Sequence, residues 1–437
     1  MAVVLSSVVP FPREEVFAWH GRPGALERLL PPWLPLRVVA SSPEGRAVIS
    51  LPGGLRWVLQ HRAEGEDGCG WRQARSFSTA EGSSTLVEDS VETLLPAAFV
   101  RRVLAYGHRQ LAGDLSAFGA ARDWPPPDRA GRRLTVALTG ASGLIGTGLA
   151  AFLSSGGHSV VRLVRRVPAG PGERRWDPLE PAPGLFTGID AVVHLAGAPI
   201  GRRFSEQHKK ALWESRVGPT ERLARAAARD AAGGDGPSCF VCASAVGFYG
   251  YDRGSEVLDE GSGQGDGFLA KLVGAWEVAA SPAAEAGLRV VTVRTGVAQS
   301  PRGGMLGLLY PVFLAGLGAR LGNGQQWLSW IGTDDLLDVY LRALADERMS
   351  GPVNAVSPAP VNNSVYTKAL AGVLHRPAFL SVPGVAASLV LGGEGAREFA
   401  LSSQRAVPAV LERLGHKFRY PRLEDCLRHV LGRSLPP

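Results

Sequence analysis

The sequence predicts an α/β protein in which a doubly wound parallel sheet fills the larger part of the chain and a smaller α+β domain precedes it. Three observations carry this. From residue 134 onward, apolar strand, loop and helix alternate, whereas residues 1–120 keep no such rhythm. Between the two lies ARDWPPPDRAGRR, residues 121–133. Its three consecutive prolines favour a stiff, solvated spacer. At 437 residues the chain is too long for one ordinary core, so two or three domains are expected. The expected division is 1–120, a linker at 121–133, a parallel-sheet part at 134–300, and a remaining region with the tail at 301–437.

The first segment opens with an apolar, β-branched stretch, AVVLSSVVPF, followed by PREEVFAWHGRPGALERLLPPW, in which helical and breaker signals alternate. GRAVISLP, LRWVLQHRAE and GWRQARSFST read as short strands. Phe99, Val103, Leu104, Leu111, Leu115 and Phe118 fall mainly at helical spacing and predict one long closing helix. A sheet with a helix against it is an α+β layer.

In the second segment LTVALTG, HSVVRLVRR, IDAVVHLAG, SCFVCAS and LRVVTVRTG are near-continuous apolar runs. A parallel sheet covered on both faces needs such strands. Helical stretches such as SEQHKKALWESRVGPTERLARAAARD separate them, which gives the doubly wound order.

TVALTGASGLIG, residues 135–146, identifies what this sheet binds. A strand that runs through a glycine-rich turn straight into a helix presents backbone N–H groups and a partial positive charge to an anion. Gly140 permits the tight turn, Gly143 admits a pyrophosphate to the main chain, and Gly146 lets the helix lie close. Ser142, Leu144 and Ile145 complete the cradle. An NAD site usually carries an acid at the end of the second strand. This chain has Arg165 and Arg166 there, and guanidinium groups suit a 2′-phosphate. NADP(H) is therefore the expected cofactor. Leu195, Ala196 and Gly197 in HLAG, small or apolar at the end of the next strand, fit close approach of the same dinucleotide.

Composition narrows the function. The formal charge is +7, yet only five lysines occur and no basic run with interleaved aromatics appears, so no nucleic-acid partner is expected. Cys69, Cys239, Cys242 and Cys426 make no disulfide framework. Cys239 and Cys242 spell Cys-x-x-Cys on a strand, where residues three apart face opposite ways. They read as buried strand residues, and no metal site is expected. No signal-peptide pattern or run of about 20 apolar residues is present. A cytoplasmic protein without a membrane partner is the expectation.

TGASGLIG, LVRR, HLAG, ASAVGFYG, VRTGV and WIGTDD together resemble the extended and atypical short-chain dehydrogenase/reductase superfamily. Over residues 134–437 the resemblance is to its NAD-dependent epimerase/dehydratase branch, whose small tail domain is matched by LSSQRAVPAVLERLGHKFRYPRLEDCLRHVL. It implies a Rossmann-like fold and cofactor contacts at Arg166, Leu195, Ala196 and Arg216. Residues 1–120 resemble the helix-grip fold of the START-related, polyketide-cyclase-like superfamily, which implies an apolar ligand.

The superfamily's proton relay is a tyrosine with a lysine four residues later. None of the seven tyrosines has one: Phe268 or Leu269 stands near the expected tyrosine and Leu272 or Val273 near the expected lysine. The remaining candidates are Ser244 at a strand end, Tyr249 in GFYG and Lys271 on the next helix, with Arg294 and Gly296 on the substrate side. Thr333 and Asp334 read as helix N-cap candidates, Asp334 and Asp335 as structural, and Trp327 and Trp330 as pocket or packing residues. The RLGNGQQW loop is placed to close over substrate. The expected function is an NADP(H)-dependent oxidoreductase or epimerase-like enzyme acting on a small-molecule carbonyl, alcohol or nucleotide-sugar-type substrate. The alternative is a non-catalytic NADP(H)-sensing or ligand-carrying protein.

Overall fold

Seven strands, all parallel, form the central sheet. In spatial order they are Gly351–Ala355, Arg289–Thr295, Cys239–Ala245, Ala191–His194, Thr135–Thr139, Ser159–Val164 and Glu173–Arg175. Numbered along the chain the order is 3-2-1-4-5-6-7, so the direction of winding reverses between Thr135–Thr139 and Ala191–His194. That reversal opens a crevice at the strand C-termini where ligands of such sheets bind. The computed structural model describes residues 2–41, 46–50, 56–60, 71–124 and 131–434. Part of the expected linker, including Pro125–Pro127, lies outside the described residues.

Two compact units result. One comprises 1–122, 150–158 and 427–437, and the other 123–149 and 159–426. The expected division at residue 300 is not a division of packing. Gly351–Ala355 completes the large sheet beside Arg289–Thr295, and Ser403–Ala406 pairs in parallel with Asp252–Leu258. The tail also holds a helix end: buried Glu398 accepts hydrogen bonds from the backbone N–H groups of Phe268 and Leu269 at 3.0 and 2.9 Å. This satisfies donors that the Phe268–Val278 helix leaves open.

The first unit contains an antiparallel sheet of Ala2–Val9, Thr85–Thr93 and Trp71–Thr79, a second of Arg37–Ser41, Arg46–Ser50 and Arg56–Gln60, and the 25-residue helix Ala97–Ala121. Val3, Val91, Val100 and Leu104 pack together. The same helix buries His108, Gln110 and Asp114, and the sheet buries Asp89, so the interior is not the purely apolar one that the helix-grip resemblance implies.

Thr333 and Asp334 do not cap the Thr333–Ala345 helix. Its N-cap is Gly332 without a side-chain bond, and the Thr333 hydroxyl donates instead to the Gln299 carbonyl at 2.7 Å. Asp335 is buried with one carboxylate oxygen unpartnered. Burial, then the Asp338 charge, pushes its carboxyl up to about 7. The folded state holds this proton where the unfolded chain has lost it, so its stabilising contribution is present at low pH and lost as pH rises through about 7. Asp335→Asn should therefore gain on the wild type between pH 5 and pH 8. Urea midpoints at the two values check this, and a pH-independent difference would refute it.

Candidate functional site

Main-chain geometry at the reversal point explains two of the three glycines within the protein itself. Gly140 has φ +66°, and a Cβ there would lie 2.8 Å from the Leu195 carbonyl carbon. At Gly146 a Cβ would lie 2.2 Å from the Gly140 carbonyl oxygen. Both positions exclude a side chain because loop, helix and neighbouring strand meet there. Gly143 differs: only the Gly140 oxygen, at 3.2 Å, is near its missing Cβ, and it and Ser142 are exposed. Leu144 and Ile145 open the Leu144–Ser155 helix. A Cβ at Gly143 would press on that one backbone oxygen, and the position otherwise faces outward.

Thr139 joins the two diverging strand ends. Its hydroxyl oxygen accepts from the N–H groups of Leu195 and Ala196 at 3.0 and 3.3 Å and lies 2.8 Å from His194 Nδ1. Burial, then the Arg216 charge, lowers His194 to about 4, so the imidazole is neutral. Half-buried Leu195 and Ala196 and exposed Gly197 form the crevice wall facing the glycine turn.

Arg216 lies beside this wall. A Cβ on Gly197 would sit 2.9 Å from its Cζ. The guanidinium is 6% exposed, donates to the Ala198 carbonyl at 2.8 Å and lies over the Trp276 ring. Among the described residues it has no carboxylate partner, and its Nε is unbonded. Burial lowers it to about 10. A cation buried without a counter-charge is unfavourable, and an incoming anion relieves the cost.

At the second strand's end Arg165 and Arg166 are both exposed. Arg166 is already engaged, forming a two-pronged pair with Glu173 at 2.8 and 2.6 Å. This holds the Glu173 carboxyl below its usual range.

Ser244, Tyr249 and Arg294 are brought together, but facing inward. Ser244 is 4% exposed and donates to Glu277 at 2.6 Å. Arg294, on the neighbouring strand in register with Ser244, binds both oxygens of Glu277 at 2.8 Å. Its Nη1 donates to the Tyr249 hydroxyl at 3.2 Å. Tyr249 is wholly buried, and its hydroxyl is 2.7 Å from Asn354 Oδ1 and 2.8 Å from the Asp259 carbonyl. Burial pushes its phenol up, which makes it a weaker acid.

Lys271 is exposed and does not join this cluster. A Cβ at Gly296 would meet the Ser329 carbonyl oxygen at 2.6 Å, so that glycine serves packing. Trp330 is buried, but Trp327 lines a cleft of about 560 Å³ with Tyr251, Gln325, Gln326, Arg397 and Ser403. The glutamine-rich loop expected near substrate is thus part of its wall.

A family model described as NAD dependent epimerase/dehydratase family matches residues 136–355, and an epimerase family protein of Mycobacterium bovis is 44% identical over 301 residues, 68% of this chain and 98% of its own. The chain belongs to the NAD dependent epimerase/dehydratase family. A second model, DUF1731, a domain of unknown function, matches residues 382–430. The crystal structure of a nucleoside-diphosphate sugar epimerase from Corynebacterium glutamicum is similar with TM-score 0.85 and 42% identity, over 99% of this chain and 91% of that one. Human epimerase family protein SDR39U1 (isoform 2), solved with NADPH, shares 30% identity and TM-score 0.64 over 69% of this chain and 100% of its own.

In this epimerase-family chain, sequence reasoning missed Glu277, Asn354 and Glu398. Glu277 carries no motif. The only available signal was that Arg294, on an apolar strand, needs a buried acid from another element.

Proposed function

We propose that the chain binds NADP(H) in the crevice at the strand reversal and uses it on a small-molecule substrate with a carbonyl or alcohol carbon. The observation that carries the reading is the combination of an exposed glycine turn at Ser142 and Gly143 with a buried Arg216 that has no carboxylate partner among the described residues, beside Gly197. Pyrophosphate supplies the anion both positions lack, and Arg165 with Arg166 faces the 2′-phosphate. NADPH bound to the human relative supports this, and the nucleoside-diphosphate sugar epimerase name of the Corynebacterium glutamicum relative supports a nucleotide-sugar-type substrate. The polar cleft at Trp327 is the place for it.

The buried positions of Ser244 and Tyr249 favour a second reading, an NADP(H)-sensing or ligand-carrying protein without turnover. In the enzyme reading Ser244, Tyr249 or Lys271 would need to reach substrate after a rearrangement. Fluorescence titration with NADPH, followed by absorbance at the reduced nicotinamide band across carbonyl and nucleotide-sugar panels, separates these outcomes. Binding with substrate-dependent oxidation is expected of the enzyme, and binding without it of the sensor. Absence of binding would refute both. For residues 1–120 a helix-grip, ligand-holding role remains part of this proposal.

A further inference from the structure

We propose that the N-terminal unit carries a separate esterase centre, in which Ser7 is the nucleophile, His108 the general base and Asp89 the group that orients the base. The three residues come from the Ala2–Val9 strand, the Ala97–Ala121 helix and the Thr85–Thr93 strand. Ser7 Oγ lies 2.6 Å from His108 Nδ1, and His108 Nε2 lies 2.7 Å from Asp89 Oδ2.

Chemistry fixes the direction of this chain. Asp89 is held ionised, because its bonds to His108, Arg75 and Gln73 outweigh the effect of burial and keep it well below the usual carboxylate range. An ionised carboxylate only accepts, so His108 Nε2 must carry its hydrogen. With no second proton on the ring, Nδ1 offers a lone pair to which the Ser7 hydroxyl donates, and this is the form that acts as base. This is nucleophile, base and orienter in hydrogen-bond contact, recognised by geometry rather than by order in the sequence. The two ring nitrogens exchange their more familiar partners, with no change in the proton bookkeeping.

Burial is graded in the useful direction. Asp89 is 0% and His108 2% exposed, whereas Ser7 is only half-buried. The base and its support are shielded, and Ser7 is the least enclosed residue of the three. Asp89 cannot swing, because Arg75, its cross-strand neighbour, grips both its oxygens at 2.8 and 2.7 Å, and Gln73 adds a third bond at 2.7 Å. Nearby His20 donates Nδ1–H to the Val16 carbonyl, which leaves its buried Nε2 lone pair without a donor.

Ser7 Oγ attacks the carbonyl carbon of a carboxylic ester while its proton moves to His108 Nδ1. The carbon–oxygen bond of the leaving group breaks, and the alkoxide takes that proton. Water then attacks the acyl-serine, gives a proton to His108, and the acid leaves as Ser7 Oγ recovers the proton. Arg75 shares the Asp89 charge, so the imidazolium is stabilised less than by an unshared carboxylate. An ester therefore fits better than an amide, whose leaving group is poorer.

Full-length protein treated with a fluorophosphonate probe and mapped by peptide mass spectrometry tests this. One adduct on Ser7 is expected, absent in Ser7→Ala and formed at least about 100-fold more slowly in His108→Gln, with p-nitrophenyl acetate hydrolysis following the same pattern. Circular dichroism melting shows whether each variant is folded. Ser7→Ala, a small exchange at a half-buried position, decides the matter if His108→Gln does not fold. A wild-type protein unlabelled at Ser7, or ester hydrolysis that survives in folded Ser7→Ala, would overturn the proposal. NADPH binding is read separately and is expected to be unchanged in Ser7→Ala.

Discussion

Replacing Arg165 and Arg166 together by alanine should weaken NADPH binding by about 30-fold while NADH changes by no more than about 3-fold. NADPH carries the additional 2′-phosphate, and only that group distinguishes the two ligands. Arg166 gives the experiment a second arm. Its fork is closed on Glu173, so a bound 2′-phosphate must compete with a carboxylate that also repels it. Glu173→Gln removes that competition and should tighten NADPH without a comparable effect on NADH. Titrations of both cofactors at two salt concentrations provide the check. The double variant should lose most of the salt sensitivity of NADPH binding, because screening acts on the phosphate contact. Equal losses for NADPH and NADH would reject the assignment and leave the pair as a surface feature of the second strand.

Much of the large sheet was legible because its signal is local. Thr135–Thr139, Cys239–Ala245 and Arg289–Thr295 carry runs of consecutive buried residues, as covered parallel strands do, and Gly140 and Gly146 are required by distances within a few residues or across one strand gap. What the sequence concealed depends on partners far along the chain. Ser244 stands at the end of a strand where substrate is expected, but alternation turns its hydroxyl toward Glu277, 33 residues later. Tyr249 stands in a glycine-flanked loop where it reads as a candidate proton donor, yet Asn354, 105 residues away, receives its hydroxyl. No spacing rule registers such pairs. The helix-grip resemblance likewise carried an apolar interior with it, because a periodic pattern reports the helix face without showing that Asp114 on that face is balanced by Arg28 at 2.7 Å.

Glu277 is the position where a single substitution should be felt most. Its carboxylate binds Ser244 and both prongs of Arg294, and the pair is nearly enclosed, at 13% and 4% side-chain exposure. Glu277→Leu leaves the Arg294 charge buried without its acid, and breaking one side of such a pair costs about 3–5 kcal/mol, with the lower end expected here because Glu277 is not fully enclosed. The loss should spread, since Arg294 also lies 3.5 Å above the centre of the Phe248 ring and bonds the Tyr249 hydroxyl. Removing both charges in Glu277→Leu/Arg294→Met should recover a large share of the loss, because no uncompensated ion remains. Urea unfolding of the wild type, both single variants and the double variant forms a cycle that isolates the coupling. The cycle also separates the two functional readings. If the cluster only holds the strand ends, the double variant should regain NADPH binding together with its stability. If Tyr249 exchanges a proton with substrate, any turnover should stay lost in the double variant although stability returns, because the phenol no longer has the guanidinium beside it to favour its charged form.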